Sequence, residues 1–124
     1  MTNAPETCET WRFSNSDRAI YFYEIPDSKK PRTSTFKLMK EDHTLGNLLR
    51  TRLLENRKVR FAGYRNPHPL EMEVHIRIET TEEMTPMQAF ISTLTSIEQT
   101  ADDFERAFEK SVKQFNSNNR ASSY

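Results

Sequence analysis

The sequence predicts an α+β fold. It reads as a two-layer sandwich in the order β-β-α-β-β-α, an antiparallel sheet with two helices on one face and a long C-terminal helix. Three observations predict it. Met72, Val74, Ile76 and Ile78 alternate with Glu71, Glu73, His75, Arg77 and Glu79, the two-residue period of a strand with one apolar and one wet face. Leu45, Leu48, Leu49 and Leu53 recur at i, i+3, i+4 and i+8 behind Asp42 and Thr44, both N-cap residue types. Met87, Phe90, Leu94, Ile97, Ala101, Phe104 and Phe108 follow in steps of 3, 4, 3, 4, 3 and 4, a heptad seam.

Along the chain, residues 1–17 read as an irregular arm in which Trp11 and Phe13 are the anchoring candidates. The run from Ile20 to Tyr23 is β-rich and ends at the turn signal Pro26-Asp27. Lys29-Lys30-Pro31-Arg32 is a short basic cluster that reads as a solvated turn rather than an import signal. Thr33 to Met39 forms a second strand with Phe36 and Leu38 on one side. The first helix is predicted from Thr44 to Glu55, capped by Asp42, aided by a favourable charge at Glu41 and stopped near Asn56. Gly46 lies inside it, where glycine costs roughly 1 kcal/mol relative to alanine, so another protein element is expected to approach closely there. Val59 to Arg65 reads as a strand with Val59, Phe61 and Gly63 on one face, and Pro67-His68-Pro69 makes a stiff corner before the next strand.

The last helix has the clearer start. Thr85 is the N-cap, Pro86 takes the first helical position and Gln88 completes a capping box. Val112 and Phe115 continue the seam one residue out of phase. A helix of about 30 residues spans roughly 45 Å, against about 20 Å for a four-stranded sheet. Its distal seam is therefore expected to stand exposed and to mark a partner surface. Residues 18–115 are predicted as one domain, and 116–124 (NSNNRASSY) as a disordered tail.

Composition narrows the function classes. Of 124 residues, 35% are hydrophobic and 29% charged, so a core borrowed from a partner is one expectation. Lys plus Arg and Asp plus Glu are both 18, which removes a global basic field for nonspecific nucleic-acid binding. The cluster Arg60, Tyr64 and Arg65 could imitate an RNA-binding sheet, but no RNP-like sequence accompanies it. Cys8 is the only cysteine, and His43, His68 and His75 lack metal-ligand spacing, so no disulfide, metal or cofactor is expected. Helix capping accounts for Glu41-Asp42-His43 more cheaply than acid–base catalysis does. No phosphate-loop, nucleophile-elbow or dinucleotide motif is present. No apolar run reaches the length of a membrane span and no signal-peptide core stands at the N-terminus, so cytosol or nucleus is expected.

Residues 41–54 (EDHTLGNLLRTRLL), 61–64 (FAGY), 67–71 (PHPLE) and 76–80 (IRIET) resemble the small alpha-like subunit of cellular RNA polymerases. That family includes archaeal subunit L and the bacterial alpha N-terminal domain, and the likeness is nearest to its RNA polymerase II branch. Over residues 33–115 the resemblance implies the alpha dimerisation (DCoH-like) fold and a non-catalytic, nuclear assembly role without cofactors. It implies pairing with the larger alpha-like subunit, the heterodimer forming a platform for the large catalytic subunits. Carried onto this chain, Leu45, Gly46, Leu48, Leu49 and Leu53 would join Phe90, Leu94, Ile97, Ala101, Phe104, Phe108 and Val112 in the dimer interface. Tyr64, His68 and Leu70 are candidates for contacts to other subunits, and Asn66 stands where the family's pattern has an apolar residue. The catalytic aspartate triplet of a polymerase large subunit is absent.

Three alternatives stay open on the sequence: the equivalent small subunit of polymerases I and III, a homodimeric interaction module built on the same helices, and a small α+β enzyme of the pterin dehydratase type. The last needs a histidine-lined pocket, which the spacing of the three histidines does not favour.

Overall fold

The structure, a computed structural model, describes residues 21–122. The expected N-terminal arm, Trp11, Phe13 and Ile20 lie outside them. The elements run β1 (Phe22–Pro26), β2 (Thr33–Met39), α1 (His43–Leu54), β3 (Val59–Arg65), β4 (Glu73–Thr80) and α2 (Pro86–Ser122), the predicted order. All three strand pairings are antiparallel, and the sheet order is β1-β2-β4-β3. The described residues divide into two compact units after Thr93, where the sequence predicts one domain over 18–115.

In the first unit, alternation sets the faces. Phe36 and Leu38 of β2 share the core with Val74, Ile76 and Ile78 of β4, and both helices bring apolar side chains to that same face. From α1 come Leu49 and Leu53, fully buried. From the start of α2 come Ala89 and Phe90. The Phe90 ring lies 4.9 Å from Phe36 and 5.2 Å from Phe22 between centroids, and Phe22 and Phe36 lie 5.6 Å apart, a three-ring cluster.

The face of β3 differs from the alternation reading. A register shift between Val59 and Phe61 inserts one residue, so Val59 and Ala62 are buried while Phe61 and Gly63 face the opposite, open side. A β-bulge sets two residues against one, and every side chain beyond it changes face.

The helix ends follow capping chemistry. Asp42 is the N-cap of α1, its Oδ1 accepting the Thr44 N–H at 2.9 Å. Glu55 is the C-cap, and the Asn56 side chain accepts the Lys58 N–H, turning the chain into β3. The predicted help from Glu41 is not what the structure has: Glu41 precedes the N-cap, and the first turn of α1 holds no acid. Burial, then the neighbouring Asp42 charge, raises the Glu41 carboxyl above its ordinary pKa. At the start of α2 the capping box forms as predicted. Gln88 N–H donates to Thr85 Oγ1 at 3.2 Å, and Thr85 N–H donates to Gln88 Oε1 at 3.0 Å.

The second unit is the helix from Leu94 onward. None of its described side chains is buried, and Ile97 alone among them is partly covered. α2 has 37 residues, about 55 Å of helix. It continues through 116–122, where the sequence reading expects a disordered tail. Asn and Ser are weak helix formers, but no proline or glycine follows Pro86 to stop the propagation. Arg120 in the last turn also complements the helix dipole.

Candidate assembly surfaces

The predicted interface residues separate into two groups. Leu49, Leu53 and Phe90 are 0%, 0% and 4% exposed, so they belong to this chain's own core rather than to a partner surface. The leucine period identifies the buried face of α1 correctly; what it misses is that the sheet already covers that face. Leu48, at 42%, and the partly covered Leu45 remain accessible.

Gly46 is buried too, and its close neighbour is internal. A Cβ at this position would lie 2.6 Å from Tyr64 Cδ2 and 3.0 Å from Tyr64 Cγ and Cε2. The glycine makes room for an aromatic ring of β3, not for a partner helix. Tyr64 is held over α1 from several directions. Its hydroxyl lies 3.2 Å from His43 Nδ1, the two rings meet edge to face at 5.6 Å, and the Arg50 guanidinium stands 5.7 Å from the ring centroid. Tyr64, expected as a subunit contact, is therefore first of all the clamp between α1 and the sheet.

The distal seam is open. Leu94 is 41% exposed, Phe104 74%, Phe108 62%, Val112 41% and Phe115 64%, and Ala101 is exposed with them. Large apolar side chains at helical spacing along one stripe form a continuous ridge with no cover among the described residues. Phe115 belongs to that ridge, and the interface expectation omits it although the out-of-phase continuation reaches it.

The proline corner presents Leu70, 89% exposed, and the exposed His68. His68 takes part in the corner through its backbone: its N–H donates to Asn66 Oδ1 at 3.1 Å and its carbonyl accepts from Glu71 N–H at 3.0 Å. Asn66, the departure from the family pattern, thus supplies a side-chain acceptor that organises the corner.

The open face of the sheet carries a shallow recess of about 360 Å³ lined by Thr35, Phe61, Gly63, Tyr64, Arg65, His75 and Arg77. Two of its side chains have local partners. His75 Nε2 lies 2.6 Å from Glu73 Oε1, and Arg77 Nη2 donates to Asp27 Oδ2 at 2.5 Å. Asp27 also accepts the N–H groups of Lys29 and Lys30; these bonds, then Arg77, hold its carboxyl down at about 2. No group of histidine, cysteine, aspartate and glutamate among the described residues could hold a metal ion. No described helix is long and apolar enough to cross a membrane.

Comparison with known proteins bears on these surfaces. Residues 33–107 match the sequence profile of the family described as the RNA polymerase Rpb3/Rpb11 dimerisation domain. A Caenorhabditis elegans protein named probable DNA-directed RNA polymerase II subunit RPB11 is 43% identical over 95 residues, covering 77% of this chain and 75% of that one. The RNA polymerase II subunit RPB11 of Schizosaccharomyces pombe is 41% identical over 111 residues, covering 86% and 88%. RNA polymerase subunit L of Thermoplasma acidophilum shares the fold, with a TM-score of 0.66 at 21% identity over 77% of this chain and 92% of that one.

Proposed function

The chain belongs to the family of the RNA polymerase Rpb3/Rpb11 dimerisation domain, and on that premise we propose that it is a non-catalytic assembly subunit of nuclear RNA polymerase II. It pairs with the larger, Rpb3-type alpha-like subunit, and the pair forms the platform on which the two large catalytic subunits assemble. The observation that carries this reading is the uncovered ridge of Leu94, Phe104, Phe108, Val112 and Phe115.

Magnitudes say what the partner must bring. Taking a fully exposed large apolar side chain out of water is worth roughly 1.5–3 kcal/mol, so the three phenylalanines and the valine, 41–74% exposed in the free chain, supply about 4–7 kcal/mol gross. Association itself costs about 4–15 kcal/mol. The ridge therefore holds a stable partner only if that partner is itself apolar along a matching length and reaches the ridge's proximal residues, Leu94 and Ile97. A loop or a polar peptide does not meet that condition; a second long amphipathic helix does.

Affinity purification of the tagged chain from its own cells, with mass spectrometry of co-purifying proteins, tests the proposal. Recovery of an Rpb3-type subunit with the two large polymerase II subunits is the expected result. Recovery of the large subunits of polymerases I and III instead would move the assignment to that branch. Recovery of no polymerase subunit would overturn it.

A further inference from the structure

The two flanks of the distal ridge are chemically unlike. At 100° per residue, Glu98, Asp102, Glu105 and Glu109 fall along one flank, roughly 55–115° from the centre of the ridge. Thr100, Ala107 and Ser111 fall along the other, roughly 65–105° away. The cations of this segment, Arg106, Lys110 and Lys113, lie on the back of the helix.

Two members of the acidic row gain nothing from the helix that carries them: Glu98 and Glu105 have no cation three or four residues away, whereas Asp102 and Glu109 have Arg106 and Lys113 at i+4. The row's members are spaced 4, 3 and 4 residues apart, which places like charges as helical neighbours and costs about 0.2–0.5 kcal/mol per pair. All four are exposed, and no ion pair among the described residues engages any of them. They also lie too far into α2 for its N-terminal dipole, which acts within the first turn, to compensate them.

We infer that the helix covering the Phe104–Phe108 ridge carries a row of lysine or arginine side chains on the edge that faces Glu98, Asp102, Glu105 and Glu109. This rests on the assembly reading above and specifies the partner surface it requires. The acidic row covers 12 residues from first to last, about 16 Å or three turns. A partner helix running alongside answers it with about three cations, one per turn. The small, uncharged side chains on the opposite flank offer a basic partner edge nothing to pair with, so charge favours the partner's basic edge on the acidic side. Phenylalanines supply the contact area, and the charge row chooses which helix and which register can use it.

The test uses the full chain and the Rpb3-type subunit of the same organism, with association followed by stopped-flow fluorescence at 50 mM and 500 mM NaCl. The variant carries Glu98→Gln, Asp102→Asn, Glu105→Gln and Glu109→Gln together. At 50 mM its association rate is expected to fall about tenfold, converging on the wild-type rate at 500 mM, where screening acts within about 4 Å. Circular dichroism of the free variant should show undiminished helix, since repulsion within α2 is relieved. A companion variant with lysine at the same four positions should associate more slowly still at 50 mM. Equal rates for wild type and the neutral variant at both salts would overturn the inference while leaving the assembly role intact, as would a deficit that persists unchanged at 500 mM. If the wild-type chain fails to bind the Rpb3-type subunit at all, the assembly reading falls and the inference falls with it.

Discussion

Replacing Gly46 by alanine should destabilise the domain, although a helix-propensity argument alone gives the opposite sign. Alanine in a helix interior is favoured over glycine by roughly 1 kcal/mol. Against this stands the Tyr64 ring, 2.6 Å from the new Cβ at Cδ2 and 3.0 Å at Cγ. Cγ is next to the Tyr64 backbone, so the ring cannot clear the methyl by swinging its tip. Either its χ1 changes, losing the His43 and Arg50 contacts, or α1 lifts from the sheet. Overpacking of this kind costs about 1–3 kcal/mol, which leaves Gly46→Ala about 1 kcal/mol destabilising after the propensity gain. Urea unfolding followed by far-ultraviolet circular dichroism would show the midpoint falling by about 0.3–1 M. In a Tyr64→Ala background the same substitution should become stabilising by roughly 1 kcal/mol, a sign reversal within one double-mutant cycle. Stabilisation in the wild-type background would refute the reasoning, because it would mean that the ring does not lie over the glycine.

Other outcomes follow from the same geometry. Phe104→Glu with Phe108→Glu should leave the urea midpoint of the free chain unchanged, within about 0.5 kcal/mol, yet abolish capture of the Rpb3-type subunit. Phe90→Ala should instead cost about 3–5 kcal/mol, because it removes a buried ring in contact with both Phe22 and Phe36. Thr85→Ala removes one half of the capping box at α2 and should lower stability by about 1 kcal/mol. The Asp27 carboxyl is held at about 2 against an ordinary 3.8, so its contribution is fully present above about pH 4 and fades as pH falls towards 2. Urea midpoints of wild type and Asp27→Asn, measured between pH 5 and pH 2, should therefore converge at the acid end.

What was legible in the sequence is what depends on local spacing. The alternation of β4, the capping box at Thr85 and Gln88, and the ridge from Leu94 to Phe108 each follow from residues a few positions apart, and each appears where the pattern puts it. The misreadings of faces and neighbours are long-range. Arg60 carries no residue signature of a bulge, so the flip of Phe61 and Gly63 is visible only once β3 is paired with β4. Gly46 announces a close approach without saying whose, and the answer lies 18 residues away at Tyr64. Periodicity finds the buried stripe of α1, but it cannot tell a stripe buried by the chain's own sheet from one buried by a partner. Leu49, Leu53 and Phe90 fall on that ambiguity. Residues 116–122 fail in the other direction: their composition is poor for a helix, yet propagation from an established helix needs far less than nucleation does.

The order of these parts along the chain also has a consequence for synthesis. β1–β2 and β3–β4 are hairpin-like neighbours in sequence, whereas the central β2–β4 pairing must close over α1 and β3. Closing that loop is the entropically demanding step of forming the sheet. On a ribosome, the closure becomes possible once β4 has emerged, and the aromatic cluster is complete once Phe90 has followed. Phe104, Phe108 and Phe115 come out after both. The adhesive ridge thus emerges after the residues of the core, on a domain that no longer competes for it.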